Sequence, residues 1–154
     1  MSIFELYADE SKHSELAAIF SHGAQYHPKG LAANFLEKDV WVTEILRLLY
    51  DEKLLGDFSV AFKGGTALSK CWEAISRFSE DIDLSIHWAD LSGHTEEESA
   101  AWTKSTQSRS QNSKFRKAQQ KQLQAWSEEF VVILNKRLSQ YQIEGLYAEI
   151  EDDS

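Results

Sequence analysis

The chain has 154 residues, 42 % of them hydrophobic and 27 % charged, which suits one soluble globular domain with its own core. Its formal net charge of −9 excludes a whole-molecule attraction to nucleic acid or to an anionic membrane, so any such contact must come from a local basic patch. The lone Cys71 excludes an internal disulfide, no apolar run approaches the roughly 20 residues that span a bilayer, and the acid-bearing start MSIFELYADESKH is unlike a signal peptide, so a cytoplasmic location is expected.

Taken in chain order, Ser14 to Ser21 allows a short helix. His27-Pro28-Lys29-Gly30 is a turn signal. From Leu31 to Leu55 the residues Leu31, Phe35, Val42, Ile45, Leu46 and Leu49 recur at helical spacing, which predicts an amphipathic helix. Phe58 to Lys63 alternates apolar with small or polar residues and predicts a strand. Gly64-Gly65 ends it, and Thr66 is placed to cap a helix over Ala67–Ser76 with Leu68, Cys71, Trp72 and Ile75 on one face. Asp81 to Ile86 alternates strictly and predicts a second strand. Glu96, Glu97 and Glu98 suit the first turn of a helix. Ser105 to Ser113 is polar and predicts a mobile loop. Lys114 to Gln140 predicts a long helix with Leu123, Trp126, Phe130, Ile133, Leu134 and Leu138 as its apolar stripe. Gly145 breaks it, and Leu146 to Glu151 reads as the start of a third strand, so the domain looks cut short after it.

Two short motifs carry chemistry. In Lys63-Gly64-Gly65-Thr66 the glycines let the backbone approach a ligand without Cβ obstruction, a following helix start turns free N–H groups toward an anion, and the Thr66 hydroxyl adds a donor for a triphosphate. Lys63 and Lys70 flank this turn as possible phosphate contacts. The wide glycine spacing of a Walker A loop is missing, and a plain tight turn is the alternative. In Asp81-Ile82-Asp83 the i, i+2 spacing projects both carboxylates from one strand face. Two such acids suit Mg²⁺ or Mn²⁺, which also takes water and substrate phosphate; the alternative is a solvated acidic edge. Found together on neighbouring strands, the two motifs set a phosphate cradle beside a metal platform.

The spacing Gly64-Gly65-Thr66, fourteen residues, Asp81-x-Asp83 resembles the signature of the polymerase-β-type nucleotidyltransferases. Phe62-Lys63-Gly64-Gly65-Thr66-Ala67-Leu68-Ser69-Lys70, Arg77-Phe78-Ser79-Glu80-Asp81-Ile82-Asp83-Leu84 and Glu37-Lys38-Asp39-Val40-Trp41-Val42-Thr43 resemble the AbiEii/AbiGii toxins of type IV toxin–antitoxin and abortive-infection systems. The likeness covers Phe35 to Ile86 well. It implies transfer of a nucleoside monophosphate from an NTP to an acceptor, with tRNA 3′ ends as targets in some members, and a cognate antitoxin protein or its gene as partner. The family also uses a third acidic residue, for which Glu149 and Glu151 are the nearby candidates.

The expected architecture is α/β (α+β), a mixed-sheet nucleotidyltransferase core flanked by helices. Residues 1–30 form an N-terminal extension, and residues 31–154 form the core, truncated at its C-terminal end. Lys104 to Lys121 holds Lys104, Arg109, Lys114, Arg116, Lys117 and Lys121 without an acid, a local contrast that suits an RNA backbone or, alternatively, a solvated helix face. Glu37, Lys38 and Asp39 sit near the cleft or on an exposed face. Trp41, Trp72 and Cys71 read as core. A truncated module that binds nucleotide or an antitoxin without catalysis, and a plain structural domain, are the competing readings.

Overall fold

The computed structural model describes residues 3–71 and 81–151, without the side chains of Leu68 and Ser69. Expectations that fall on Trp72, Ile75, Arg77, Ser79 and Glu80 lie outside the described residues.

Three helices open the chain: α1 (Ile3–Tyr7), α2 (His13–Tyr26) and α3 (Ala33–Tyr50). Leu6, Leu16 and Phe20 pack into one buried cluster, with Leu36 and Val40 of α3 against it. The His27–Gly30 turn reverses the chain between α2 and α3; the Gly30 N–H donates to the His27 carbonyl at 2.9 Å. The α3 helix is shorter than the expected 31–55, because Lys53 and Gly56 take left-handed backbone angles that end it. Leu48 and Leu49 near its end are buried.

The sheet is one antiparallel pair, β1 (Val60–Lys63) and β2 (Asp83–Ile86), in the register Val60↔Ile86 to Lys63↔Asp83. Between them α4 (Gly64–Lys70) follows β1 without a loop. This is the expected α+β class, a small sheet flanked by helices. Leu146 to Glu151 does not form the expected third strand, so among the described residues the sheet is antiparallel and not mixed. That segment is irregular and is tied to α7 (Arg109–Leu138) instead. The Asn135 side chain exchanges two hydrogen bonds with the Ala148 backbone, at 2.8 and 2.7 Å, supplying partners that a strand ladder would have provided.

After β2 come α5 (Trp88–Ser92) and α6 (Glu96–Lys104). The acids at the start of α6 complete a capping box, with Thr95 and Glu98 exchanging hydrogen bonds. A second box, Ser108 with Gln111, starts α7 at Arg109. The expected mobile loop over 105–113 is therefore only four residues long; Ser-x-x-Gln, a start signal, outweighs its polar composition. Trp126 and Phe130 stack on α7 as the apolar stripe requires, their ring centroids 4.9 Å apart. Leu123 and Ile133 of the same stripe are exposed, at 46 % and 50 %, since the helix outreaches the elements that cover it.

The far end of α7 is fastened to α3 by charge. Arg137 forks onto Glu52 at 2.6 and 2.8 Å, Arg47 forks onto Glu44 at 2.9 and 2.7 Å, and Arg47 also meets Glu52 at 2.8 Å. Trp41 lies half-buried among Phe4, Tyr7 and Tyr141, a core role as expected. Cys71 corrects its expectation: it is exposed at the end of α4. Apolar spacing put it on an inward face, but it lies one residue past the end of α4, on the rim of a hollow shared with Leu46 and Tyr50 of α3.

Candidate active site

The passage from β1 into α4 makes a corner at Gly64. Its φ is +77°, and a Cβ built there would lie 1.8 Å from Asp83 Oδ2. Only glycine fits, for two independent reasons: the left-handed backbone, and the acid seated against its Cα. The register explains the closeness. Lys63 at the end of β1 pairs with Asp83 at the start of β2, so the next residue, Gly64, turns directly beside the Asp83 side chain.

Asp81 is drawn to the same corner through its backbone. The buried Thr66, 1 % exposed, donates its hydroxyl to the Asp81 carbonyl. The expected cap role of Thr66 does not appear. The α4 helix begins two residues earlier, with Lys63 in the N-cap position, because Gly64 can take the turn that Thr66 was expected to follow. Thr66 therefore acts as an internal staple between α4 and the start of the acid strand, its hydroxyl turned away from solvent.

β2 begins at Asp83, two residues later than the expected start at Asp81, yet exposure alternates from Asp81 onward as the pattern requires. Asp81, Asp83 and Ser85 are exposed, while Ile82, Leu84 and Ile86 are half-buried. Both acidic residues are exposed, and the Asp83 carboxylate takes up the space over Gly64. Lys63 is exposed opposite Asp83. The Lys70 ammonium is held by α3, 2.7 Å from Asp39 Oδ1 and 3.0 Å from Thr43 Oγ1. Of the charged step on α3, Asp39 thus reaches α4, while Glu37 accepts from the Tyr7 hydroxyl at 2.8 Å.

Two exposed carboxylates are a donor set that fits Mg²⁺ or Mn²⁺, since Mg²⁺ is commonly held by one or two acids plus substrate phosphates and water. No third ligand joins them: among the described residues no three His, Cys, Asp or Glu side chains gather closely enough to hold one ion. Glu149 and Glu151 are exposed on the segment that Asn135 ties to α7, and they do not complete a triad with Asp81 and Asp83.

Sequence reasoning passed over the continuation of β2. The His87 N–H donates to the Ser59 carbonyl at 2.9 Å, extending the ladder one step. A groove of about 540 Å³ lies at this end of the pair, lined by residues 59–61 of one side and by Ser85, Ile86, His87 and Trp88 of the other. The period-two pattern Asp83, Ser85, His87 was the available signal. The basic segment also takes shape: Arg109, Lys114, Arg116, Lys117 and Lys121 are exposed on the first half of α7, and Arg109, Asn112, Arg116 and Lys117 help line a polar groove of about 370 Å³. No helix among the described residues is long and apolar enough to cross a membrane.

No curated protein and no solved structure matches the chain. A family model described as the nucleotidyl transferase AbiEii toxin of type IV toxin–antitoxin systems matches residues 47–149, about two thirds of the sequence. The match takes in the glycine corner, both acids, α7 and the segment bearing Glu149, while Glu37 to Thr43 lie outside it. With its two motifs joined at one corner and this match running through them, the chain belongs to the AbiEii nucleotidyl transferase toxin family.

Proposed function

We propose that this protein transfers a nucleoside monophosphate from an NTP to an RNA acceptor, such as a tRNA 3′ end, as the toxin of a type IV toxin–antitoxin pair. The observation that carries the reading is the seating of the Asp83 carboxylate against the Cα of Gly64. A phosphate lying on the Gly64–Gly65 backbone would be adjacent to that acid, the arrangement that phosphoryl transfer needs.

Gly64 and Gly65 receive the triphosphate, and Thr66 keeps the corner closed on Asp81. Asp81 and Asp83 hold Mg²⁺ or Mn²⁺, which when bound offsets the phosphate charge and favours in-line displacement. Lys63 adds a positive charge beside Asp83. Lys70 contributes only by releasing Asp39. Lys114, Arg116, Lys117 and Lys121 grip the backbone of the acceptor, against the grain of an otherwise acidic molecule. The expected partner is a cognate antitoxin, as protein or as gene, and the expected location is cytoplasmic. Catalysis is mostly positioning and charge stabilisation.

The test is incorporation of labelled NTP into total RNA. Asp81→Asn and Asp83→Asn each abolish transfer while leaving the circular dichroism spectrum and the melting temperature unchanged. Transfer retained in both variants counts decisively against the site. A second reading, nucleotide binding without turnover, draws on the two-carboxylate donor set, which lacks a third acid among the described residues. It predicts magnesium-dependent NTP binding with no incorporation by the unaltered chain.

A further inference from the structure

The groove beyond Asp83 has a composition that the phosphate corner does not use. Three residues lie between Asp83 and His87, so four steps of extended chain, roughly 13 Å, separate them. At the near end lie the exposed acids and the glycine backbone. At the far end lie the rings of His87 and Trp88 beside Ser59, with the Ala61 and Ser85 pair between the two ends. The alanine and serine side chains between them leave the floor low.

The rings at the far end are held in place. Trp88 meets His87, His94 and Phe115 at centroid distances of 6.0, 5.5 and 5.2 Å, and Phe115 stacks on Trp102 at 4.7 Å. The His87 side chain is 51 % exposed, and its Nδ1 lies 3.8 Å from Asp90 Oδ1. Asp90 is itself fixed by the Ser59 N–H at 2.7 Å. A braced tryptophan wall beside a half-open imidazole is a stacking surface for a flat ring. No carboxylate is among the groove's lining residues, and the one beside them, Asp90, is engaged by the Ser59 N–H and His87.

We propose that this groove is a nucleoside subsite. The base lies on His87 against the Trp88 wall, the sugar hydroxyls face Ser59 and Ser85, and the phosphates reach back to Asp83 and Gly64. The proposal rests on the nucleotidyltransferase reading and names where the ligand's non-phosphate end sits. The nucleoside belongs either to the bound NTP or to the 3′ end of the acceptor, and the arms of the test tell these apart.

Ala61→Leu raises the groove floor without altering the glycine corner or either acid, and His87→Ala removes the open ring. Each variant of the full chain is titrated, with Mg²⁺ present, against inorganic tripolyphosphate, ATP, GTP and a short single-stranded RNA. If the groove takes the nucleoside of the NTP, Ala61→Leu weakens ATP and GTP about tenfold and His87→Ala about threefold, with tripolyphosphate held within about twofold of the unaltered protein. If it takes the acceptor end, RNA affinity falls by similar factors while NTP and tripolyphosphate affinities stay. Unchanged affinity for both NTP and RNA in both variants overturns the subsite. So does an equal loss for tripolyphosphate, which would mean general damage to the corner. Absence of magnesium-dependent tripolyphosphate binding by the unaltered protein fails earlier, taking down the nucleotidyltransferase reading and the subsite with it.

Discussion

The helical half and the strand pair solve opposite problems. In α1 to α3, Leu6, Leu16 and Phe20 are buried together and Leu48 is fully enclosed; the polar groups at that end are spent on one another, as in the Arg47, Glu44, Glu52 and Arg137 clasp. At the corner of β1 and α4 the charged side chains stay in water, and the tight fit is between a carboxylate and a glycine backbone. Stability gathers in the first region and chemistry in the second. A corner that holds a ligand needs unspent charge and approachable backbone, which a packed core removes.

The sharpest way to break this comparison is Gly64→Ala. The added methyl strikes Asp83 Oδ2 and the backbone angle is unfavourable, with strain of about 1–3 kcal/mol. Displacement of Asp83 by about 1 Å costs transfer about 100-fold in a single-turnover assay. Leu48→Ala acts in the other region: it loses about 2–5 kcal/mol of unfolding free energy in a urea titration, and affinity for Mg²⁺-NTP at low denaturant stays the same. If the large activity loss followed Leu48→Ala and the large stability loss followed Gly64→Ala, the division of labour would be wrong.

Two smaller effects sharpen it. Arg116→Gln combined with Lys117→Gln lowers the salt dependence of RNA binding by about 1.4 in log–log slope, if each side chain neutralises one phosphate of a single strand. NTP affinity does not change, and unchanged RNA affinity would dismiss the basic face as an acceptor grip. The smallest effect belongs to the clasp. Hydrogen bonds from Arg137, and then from Arg47, hold the Glu52 carboxyl at about 2, down from 4.5. A carboxyl depressed in the folded state stabilises above its unfolded pKa and loses that contribution as pH falls through the folded one. The melting-temperature gap between the unaltered chain and Glu52→Gln is therefore full at pH 7 and closes between pH 4.5 and about 2. It is small throughout, as expected of an exposed ion pair.

Much of this was legible in the residues. Strict alternation from Asp81 to Ile86 placed the acids outward, and the structure keeps them exposed with Ile82 and Leu84 half-buried. Helical spacing found α3 and α7 but misjudged their ends, because boundaries depend on caps: Ser108 with Gln111 extends α7 backward, and Lys53 and Gly56 stop α3 early. Cys71 and Leu123 were assigned inward from periodicity, yet both are exposed. Periodicity names a face and says nothing of whether another element reaches it.

The third strand shows the same limit more sharply. Leu146 to Glu151 alternates well enough to enter a sheet, but alternation does not choose a partner, and Asn135 holds the Ala148 backbone instead. The residues by themselves determined that a glycine turn would follow one strand and that two outward acids would open the next alternating segment, since strand parity and turn chemistry are local properties. Only the tertiary structure decided that Lys63 pairs with Asp83, that the acid rests on the Cα of Gly64, and that Thr66 faces inward to Asp81. Alternation fixes which face a residue takes, whereas the partner it pairs with and the depth of its burial depend on what packs across the chain.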